Sequence, residues 1–221
     1  PSPLPIRLLP GIAAFIGADI VAGIYATGML YDEKPSLLVD IGTNGEIVLQ
    51  HEGNLKTCAT AAGPAFEGGG LRCGTRAREG AISDLKLSLD PLKVDASIIG
   101  DLPLSRAAGV CGSAYVDFLA EARESGLVTA SGRYTQTAWD SLPESHRVED
   151  DDERAVRLAG RNGLGSMVVS EVDIAVILQA KAAIGAGIDI LLETAGIQAR
   201  QISKVYLAGG FGMHLDVSHA I

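Results

Sequence analysis

The segment Leu37-Leu38-Val39-Asp40-Ile41-Gly42-Thr43-Asn44-Gly45-Glu46-Ile47-Val48-Leu49 limits the folds open to this chain more than any other stretch. An apolar run ends on a carboxylate, crosses a glycine-containing turn and resumes as a second apolar run. That order reads as strand, turn, strand. Dinucleotide-binding folds and P-loop enzymes place a helix after their glycine turn, so the order argues against both. A glycine turn presents backbone N–H groups to an anion. Asp40, at the strand end, is placed to hold a metal ion or a water beside a phosphate. The same residues also fit a plain hairpin, because Asn-Gly is a strong hairpin turn signal.

The rest of the chain adds a mixture of helices and strands. Ala18 to Leu30 reads as a helix of small and apolar residues. Leu37–Ile41 and Glu46–His51 form the hairpin, and Leu55–Ala61 adds a third strand to make an antiparallel meander. Gly63-Pro64 breaks it. The alternation of Leu85, Leu87 and Leu89 suggests more strand over 82–99. Gly112 to Ser125 reads as a helix closed by Gly126. Residues 131–154 are polar and contain an acidic run, 149–153, expected to be a solvated surface loop. A long helix starts at Ser170, where Asp173 completes a variant capping box, and ends at Gly196. Within it, Gly185 and Gly187 would allow another backbone to come close. Lys204–Ala208 reads as a buried strand, followed by Gly209-Gly210-Phe211-Gly212.

The 221 residues suffice for one large or two small domains. Hydrophobic residues make up 47% and charged residues 20%, a composition that supports a packed core. The net charge of −9 without a Lys/Arg stripe argues against nucleic acid or an anionic membrane as partner. No membrane span or signal peptide is expected from the sequence. The three cysteines, Cys58, Cys73 and Cys111, are widely spaced, which suits a reducing cytoplasm. Cys73 beside Arg72 is a candidate reactive thiol, with burial as the alternative for all three. His214 and His219 have the wrong spacing for a same-face helical metal pair and read as surface residues.

Two glycine turns therefore sit at the ends of apolar strands, where ligands bind in open α/β sheets. The pair resembles the actin, sugar-kinase and heat-shock-chaperone ATPase superfamily. The resemblance implies an α/β fold: a ribonuclease-H-like, actin-like ATPase lobe whose mixed sheet starts with an antiparallel hairpin and carries flanking helices. In that comparison Val39–Gly45 resembles the second phosphate motif, Val205–Gly212 the adenosine motif, and Asp19–Gly28 the connecting helix that opens near the attacking water. Residues 1–35 then read as a connecting segment and helix from a preceding lobe, and 36–221 as the ATPase lobe.

A narrower resemblance is to reductive activators of corrinoid proteins, an iron–sulfur-containing branch of the superfamily. It rests on Ala62–Gly68, Cys111-Gly112-Ser113, Gln179–Ile184 and Leu207–Gly212. It implies ATP-driven electron delivery that returns cobalt(II) corrinoid to cobalt(I) on a partner methyl-transfer protein. On this basis Asp40 binds Mg²⁺, and Gly42, Thr43, Asn44 and Gly45 hold β/γ-phosphate oxygens. Asp19 orients the attacking water. Gly209 and Gly210 admit adenine and ribose, with Phe211 stacking on the base or packing in the core. Glu67 is a candidate nucleotide or metal contact. Arg72, Arg76 and Arg78 read as phosphate or partner contacts, or as a solvated loop.

The family's [2Fe–2S] domain, its first lobe and the helix after the adenosine motif have no counterpart here, so the chain reads as part of a longer protein. An electron donor, and homo-oligomerisation through an apolar lobe face, are further expectations. A small-molecule kinase of the same superfamily and a non-catalytic interaction module are the competing readings.

Overall fold

The computed structural model describes residues 8–89, 91–150, 153–160, 166–212 and 215–219. Over these residues the chain forms two compact units, Pro1–Ala61 with Ala182–Met213, and Ala62–Lys181 with His214–Ile221.

The first unit is built on a four-stranded mixed sheet. Strands β1 (Ser36–Ile41), β2 (Gly45–His51) and β3 (Asn54–Thr60) form the expected meander. Strand β10 (Lys204–Ala208) lies parallel to β1, giving the order β10-β1-β2-β3. The apolar runs of β1 and β2 are nearly continuous because helices cover both faces. Helix α1 (Ala18–Thr27) packs Ile20 and Ile24 onto Leu38 and Val48, with Ile16 and Met29 completing the cluster. Burial of each such side chain is worth roughly 2 kcal/mol.

The opposite face meets the C-terminal half of α4 (Glu171–Ala195). A Cβ on Gly187 would lie 2.5 Å from Thr60 Cγ2 and 2.8 Å from Ile47 Cδ1, so this glycine is required by close packing. The neighbours are side chains, not the backbone expected from the sequence. A Cβ on Gly185 would meet nothing within 4 Å, so that glycine has no packing role.

The second unit holds two three-stranded sheets. One has the order β5-β4-β6, from β4 (Ala81–Ser88), β5 (Lys93–Ile98) and β6 (Gly109–Val110), with α2 (Gly112–Glu124) packed on β4. The other has the order β7-β8-β9, from β7 (Arg147–Asp150), β8 (Glu153–Ala159) and β9 (Met167–Ser170). The helix start at Ser170 is confirmed. Ser170 Oγ accepts the Asp173 N–H at 3.1 Å, and Asp173 Oδ2 accepts the Ser170 N–H at 2.9 Å. Gly196, with φ +70°, closes α4, and the Ile197 N–H reaches the Leu192 carbonyl at 3.1 Å. This is a Schellman-type ending.

Two expectations are corrected. The stretch read as a polar acidic loop contains helix α3 (Gln136–Ser141) and strand β7. Trp139 anchors it: the ring is buried, and its Nε1–H donates to Glu149 at 3.1 Å. Both ends of the acidic run thus belong to a β7–β8 hairpin, Glu149 and Asp150 to β7 and Glu153 to β8; Asp151 and Asp152 lie outside the described residues. Strand β10, expected to be buried, has one open face. Tyr206 and Ala208 pack inward, whereas Val205 is 56% and Leu207 39% exposed.

Helix α4 is long and apolar enough to cross a bilayer by length and composition. In this fold its Ile174, Ile177, Ile184, Leu191 and Leu192 are buried within the protein.

Candidate functional site

The β1–β2 register fixes the heart of the site. Asp40 stands directly opposite Glu46, and Ile41 opposite Gly45, so residues 42–44 form the loop. The Gly42 N–H closes this loop on the Asn44 carbonyl at 3.0 Å. None of residues 42–45 has a positive φ, so the Asn-Gly pair does not act as the primed turn its sequence suggests. Gly45 is required for a different reason. A Cβ there would lie 2.7 Å from Thr60 Oγ1 and 2.9 Å from Ile184 Cγ1. The glycine lets β3 and α4 close around the base of the loop, leaving Thr43 and Asn44 exposed at its tip.

On the other side of β1, Asp40 pairs with Ala208 at the end of β10. Gly209 follows with φ +89°, and a Cβ on it would lie 2.5 Å from the Ile41 carbonyl and 2.8 Å from Asp40 Oδ1. Only glycine brings the second turn this close to the carboxylate. The reason differs from the expected one: Gly209 makes room for the protein's own β1 end. At Gly210, by contrast, an added Cβ meets no protein atom within 4 Å, and Phe211 is half-buried beside it.

The electrostatics of this corner are unfavourable for the protein alone. Burial pushes the Asp40 carboxyl above its ordinary range, and the charge of Asp19 adds to the shift. Glu46 is raised too, first by burial, then by Asp40 and Asp19, against a hydrogen bond from the Asn44 side chain. Like charges directly opposite in a sheet are destabilising. The Asp40 carboxylate accepts no hydrogen bond among the described residues, while Asp19 Oδ1 accepts the adjacent Ile20 N–H, at 2.9 Å. Glu46 escaped the sequence reading, although a carboxylate the same distance from the turn as Asp40 was the signal for it.

The other anticipated residues lie in the second unit. Glu67 ends the 3₁₀ turn Pro64–Glu67 and pairs with Arg76 at 3.0 Å. Arg72 is fixed by its backbone N–H, which donates to Asp173 at 2.7 Å, while its guanidinium lies 3.6 Å from Asp150. The Cys73 thiol accepts the Val168 N–H at 3.4 Å and donates to the Ser166 carbonyl at 3.6 Å. That geometry ties the half-buried thiol to the backbone of β9 and the residue before it. His219 is not a plain surface residue: its Nδ1 meets buried Asp117 at 2.8 Å, and its Nε2 lies 3.9 Å from Glu121. His214 lies outside the described residues. The Cys111-Gly112-Ser113 and Ala62–Gly68 motifs serve packing, because a Cβ on Gly112 would collide with the Phe66 carbonyl and Ser113 Oγ donates to the Ser83 carbonyl at 2.6 Å.

A mixed sheet with helices on both faces and two glycine turns meeting at one carboxylate defines an actin-like ATPase type of lobe. Residues 34–221 match the family model for the C-terminal domain of RACo, the ASKHA domain, and the chain belongs to that family. It is 34% identical over 99% of its length to the corrinoid activation enzyme RamQ of Eubacterium limosum. It is 29% identical over 96% of its length to a [Co(II) methylated amine-specific corrinoid protein] reductase of Methanosarcina barkeri. The chain spans 38% of the length of each of these relatives. A solved structure of a reductive activator for corrinoid, iron–sulfur protein superposes with TM-score 0.84 at 37% identity, covering 96% of this chain and 33% of that one.

Proposed function

We propose that this chain is the nucleotide-binding part of a reductive activator, which uses ATP to drive an electron onto a cobalt(II) corrinoid held by a methyl-transfer protein. The observation that carries the proposal is Asp40: a partly buried carboxylate without a hydrogen bond, facing Glu46 just before the first glycine turn and closely approached by Gly209 of the second. Such a group is costly to keep unless a cation or a proton occupies it in the working state.

The residues fit Mg²⁺ in one specific way. No group of three or more His, Cys, Asp or Glu side chains converges on a metal position among the described residues. Mg²⁺ is commonly held by one or two carboxylates together with substrate phosphates and waters. Asp40, with Asp19 nearby, supplies that protein share. When bound, the ion neutralises charge on the phosphates. The Gly42–Gly45 backbone and the exposed Thr43 and Asn44 side chains orient the phosphate oxygens. Asp19 holds the water that attacks the γ-phosphate. Open space at Gly210 admits the nucleoside, with Phe211 beside it. Positioning and charge stabilisation are most of what phosphoryl transfer needs.

A plant-type [2Fe–2S] cluster does not fit this chain, which has three cysteines against the four thiolates that such a cluster takes. The electron therefore comes from a domain or donor outside these residues. It reduces cobalt(II) to cobalt(I) while ATP is hydrolysed to ADP and phosphate. ATP turnover that rises when a cobalt(II) corrinoid protein is added to the activator containing this domain would support the reading. Turnover that ignores the corrinoid protein but depends on a small hydroxylated acceptor would favour a kinase instead.

A further inference from the structure

We propose that a cavity between α3 and the β7–β8 hairpin binds a small zwitterion, a molecule carrying one carboxylate and one ammonium group. The cavity, in the second unit, measures about 410 Å³, within the range of small-ligand sites.

Its lining contains two guanidinium groups and three carboxylates, and the structure shows which of them are already engaged. Arg154 and Glu149 neutralise each other, with Nε 3.4 Å from Oε1. Arg154 also donates to Gln136 Oε1 at 2.8 Å and lies over the Trp139 ring at 5.1 Å. Glu149 takes the indole N–H of Trp139. These contacts make a fixed wall.

Three charged groups remain. Arg147 lines the cavity with its Nε buried and without an acceptor among the described residues. Arginine stays protonated, and this charge forms no ion pair with any described residue. Asp140 accepts one bond from uncharged Gln136, at 2.8 Å. Neither Asp140 nor Glu144 forms an ion pair with any described residue. The cavity thus offers one cation and two anions, on walls set by separate elements: β7 for Arg147, α3 for Asp140 and the 3₁₀ turn Glu144–His146 for Glu144.

A ligand carboxylate meets the planar guanidinium of Arg147 in the two-bond geometry that arginine favours. A ligand ammonium meets Asp140 and Glu144. A polyphosphate is disfavoured, because three carboxylates against two guanidinium groups leave the lining with a net charge of −1. The site is independent of the β1–β2 corner and does not depend on the nucleotide reading.

Trp139 is the single tryptophan of the chain, so its fluorescence reports occupancy directly. The test titrates the whole chain with three probes of one size: norleucine, which carries both charges, hexanoate, which carries only the carboxylate, and norleucinamide, which carries only the ammonium. The expected result is a saturable change with norleucine and at least tenfold weaker binding of the other two. Arg147→Gln should weaken norleucine at least tenfold. Glu144→Gln, a change at an exposed residue that leaves folding intact, should weaken norleucine while leaving hexanoate unaffected. Equal binding of norleucine and either single-charge probe would overturn the proposal. So would the absence of saturable fluorescence change and of binding heat with norleucine.

Discussion

Buried and half-buried carboxylates occur in both units, but Asp40 of the first is treated in the opposite way to those of the second. In the second unit each is satisfied. Asp173 accepts N–H groups of Arg72 and Ser170 and the Ser170 hydroxyl. Glu171 accepts the Tyr134 N–H at 2.8 Å and pairs with Arg133. Asp117 accepts the Leu85 N–H at 3.1 Å and meets His219. In the first unit Asp32 is likewise paired with Lys204 and takes the Tyr206 hydroxyl, whereas Asp40 has no such donor and faces Glu46. Carboxylates saturated by backbone donors hold a fold together, whereas carboxylates left facing one another are kept for something that comes from outside. This distinction separates architecture from chemistry better than burial alone.

The largest expected effect is on the architectural side. Asp173→Ala removes the reciprocal half of the α4 capping box and leaves the Arg72 and Ser170 donors without their acceptor. The cost should be about 3 kcal/mol in urea unfolding. Asp40→Ala should cost well under 1 kcal/mol without ligand; a loss as large as that of Asp173→Ala would erase the comparison.

Next comes the pair of helix glycines. Gly187→Ala should destabilise by about 1–2 kcal/mol, because the collisions with Thr60 and Ile47 exceed the gain in helix propensity. Gly185→Ala, with open space around it, should stabilise by about 1 kcal/mol. Thermal unfolding of the two variants separates them by sign.

Smaller effects follow from pH. The folded carboxyls of Asp40 and Glu46 titrate above their unfolded values. The folded state therefore holds their protons more tightly, and stability falls as pH rises through the carboxylate range. Asp40→Asn should flatten that fall. At His219 the bond to Asp117 raises the imidazole above its ordinary 6.5. Its stabilisation is complete below the unfolded value and is lost as pH rises through the folded one. His219→Gln should remove that decline, seen as equal stability on both sides of neutral pH.

Much of this was legible in the sequence where local pattern and tertiary context agree. The meander, the α1 and α4 helices, the Ser170 cap and the Gly196 ending follow from alternation, apolar spacing and capping chemistry. So did the placing of each glycine turn at the end of an apolar strand. What was not legible depended on pairing between distant residues. The roles of Gly45 and Gly209 are set by Thr60, Ile184 and the β1 end, which no local rule supplies. The Glu46–Asp40 opposition needs the strand register. The β7–β8 hairpin was hidden because the acidic residues of β7, exposed as expected, sit in a paired strand, and polarity does not tell an exposed strand from a loop. The open face of β10 was missed because apolar composition does not distinguish an edge strand from a central one.

The central claim is that Asp40 is kept for a metal–nucleotide ligand and not for the fold. Thermal unfolding of the wild-type chain and of Asp40→Asn, each with and without Mg·ATP, tests it most directly. The account predicts that Asp40→Asn without ligand is at least as stable as the wild type. It further predicts that Mg·ATP at about 100 times its dissociation constant stabilises the wild type by about 2.7 kcal/mol and leaves the variant unchanged. An Asp40→Asn variant that is markedly less stable without ligand, or that gains as much from Mg·ATP as the wild type, would contradict it.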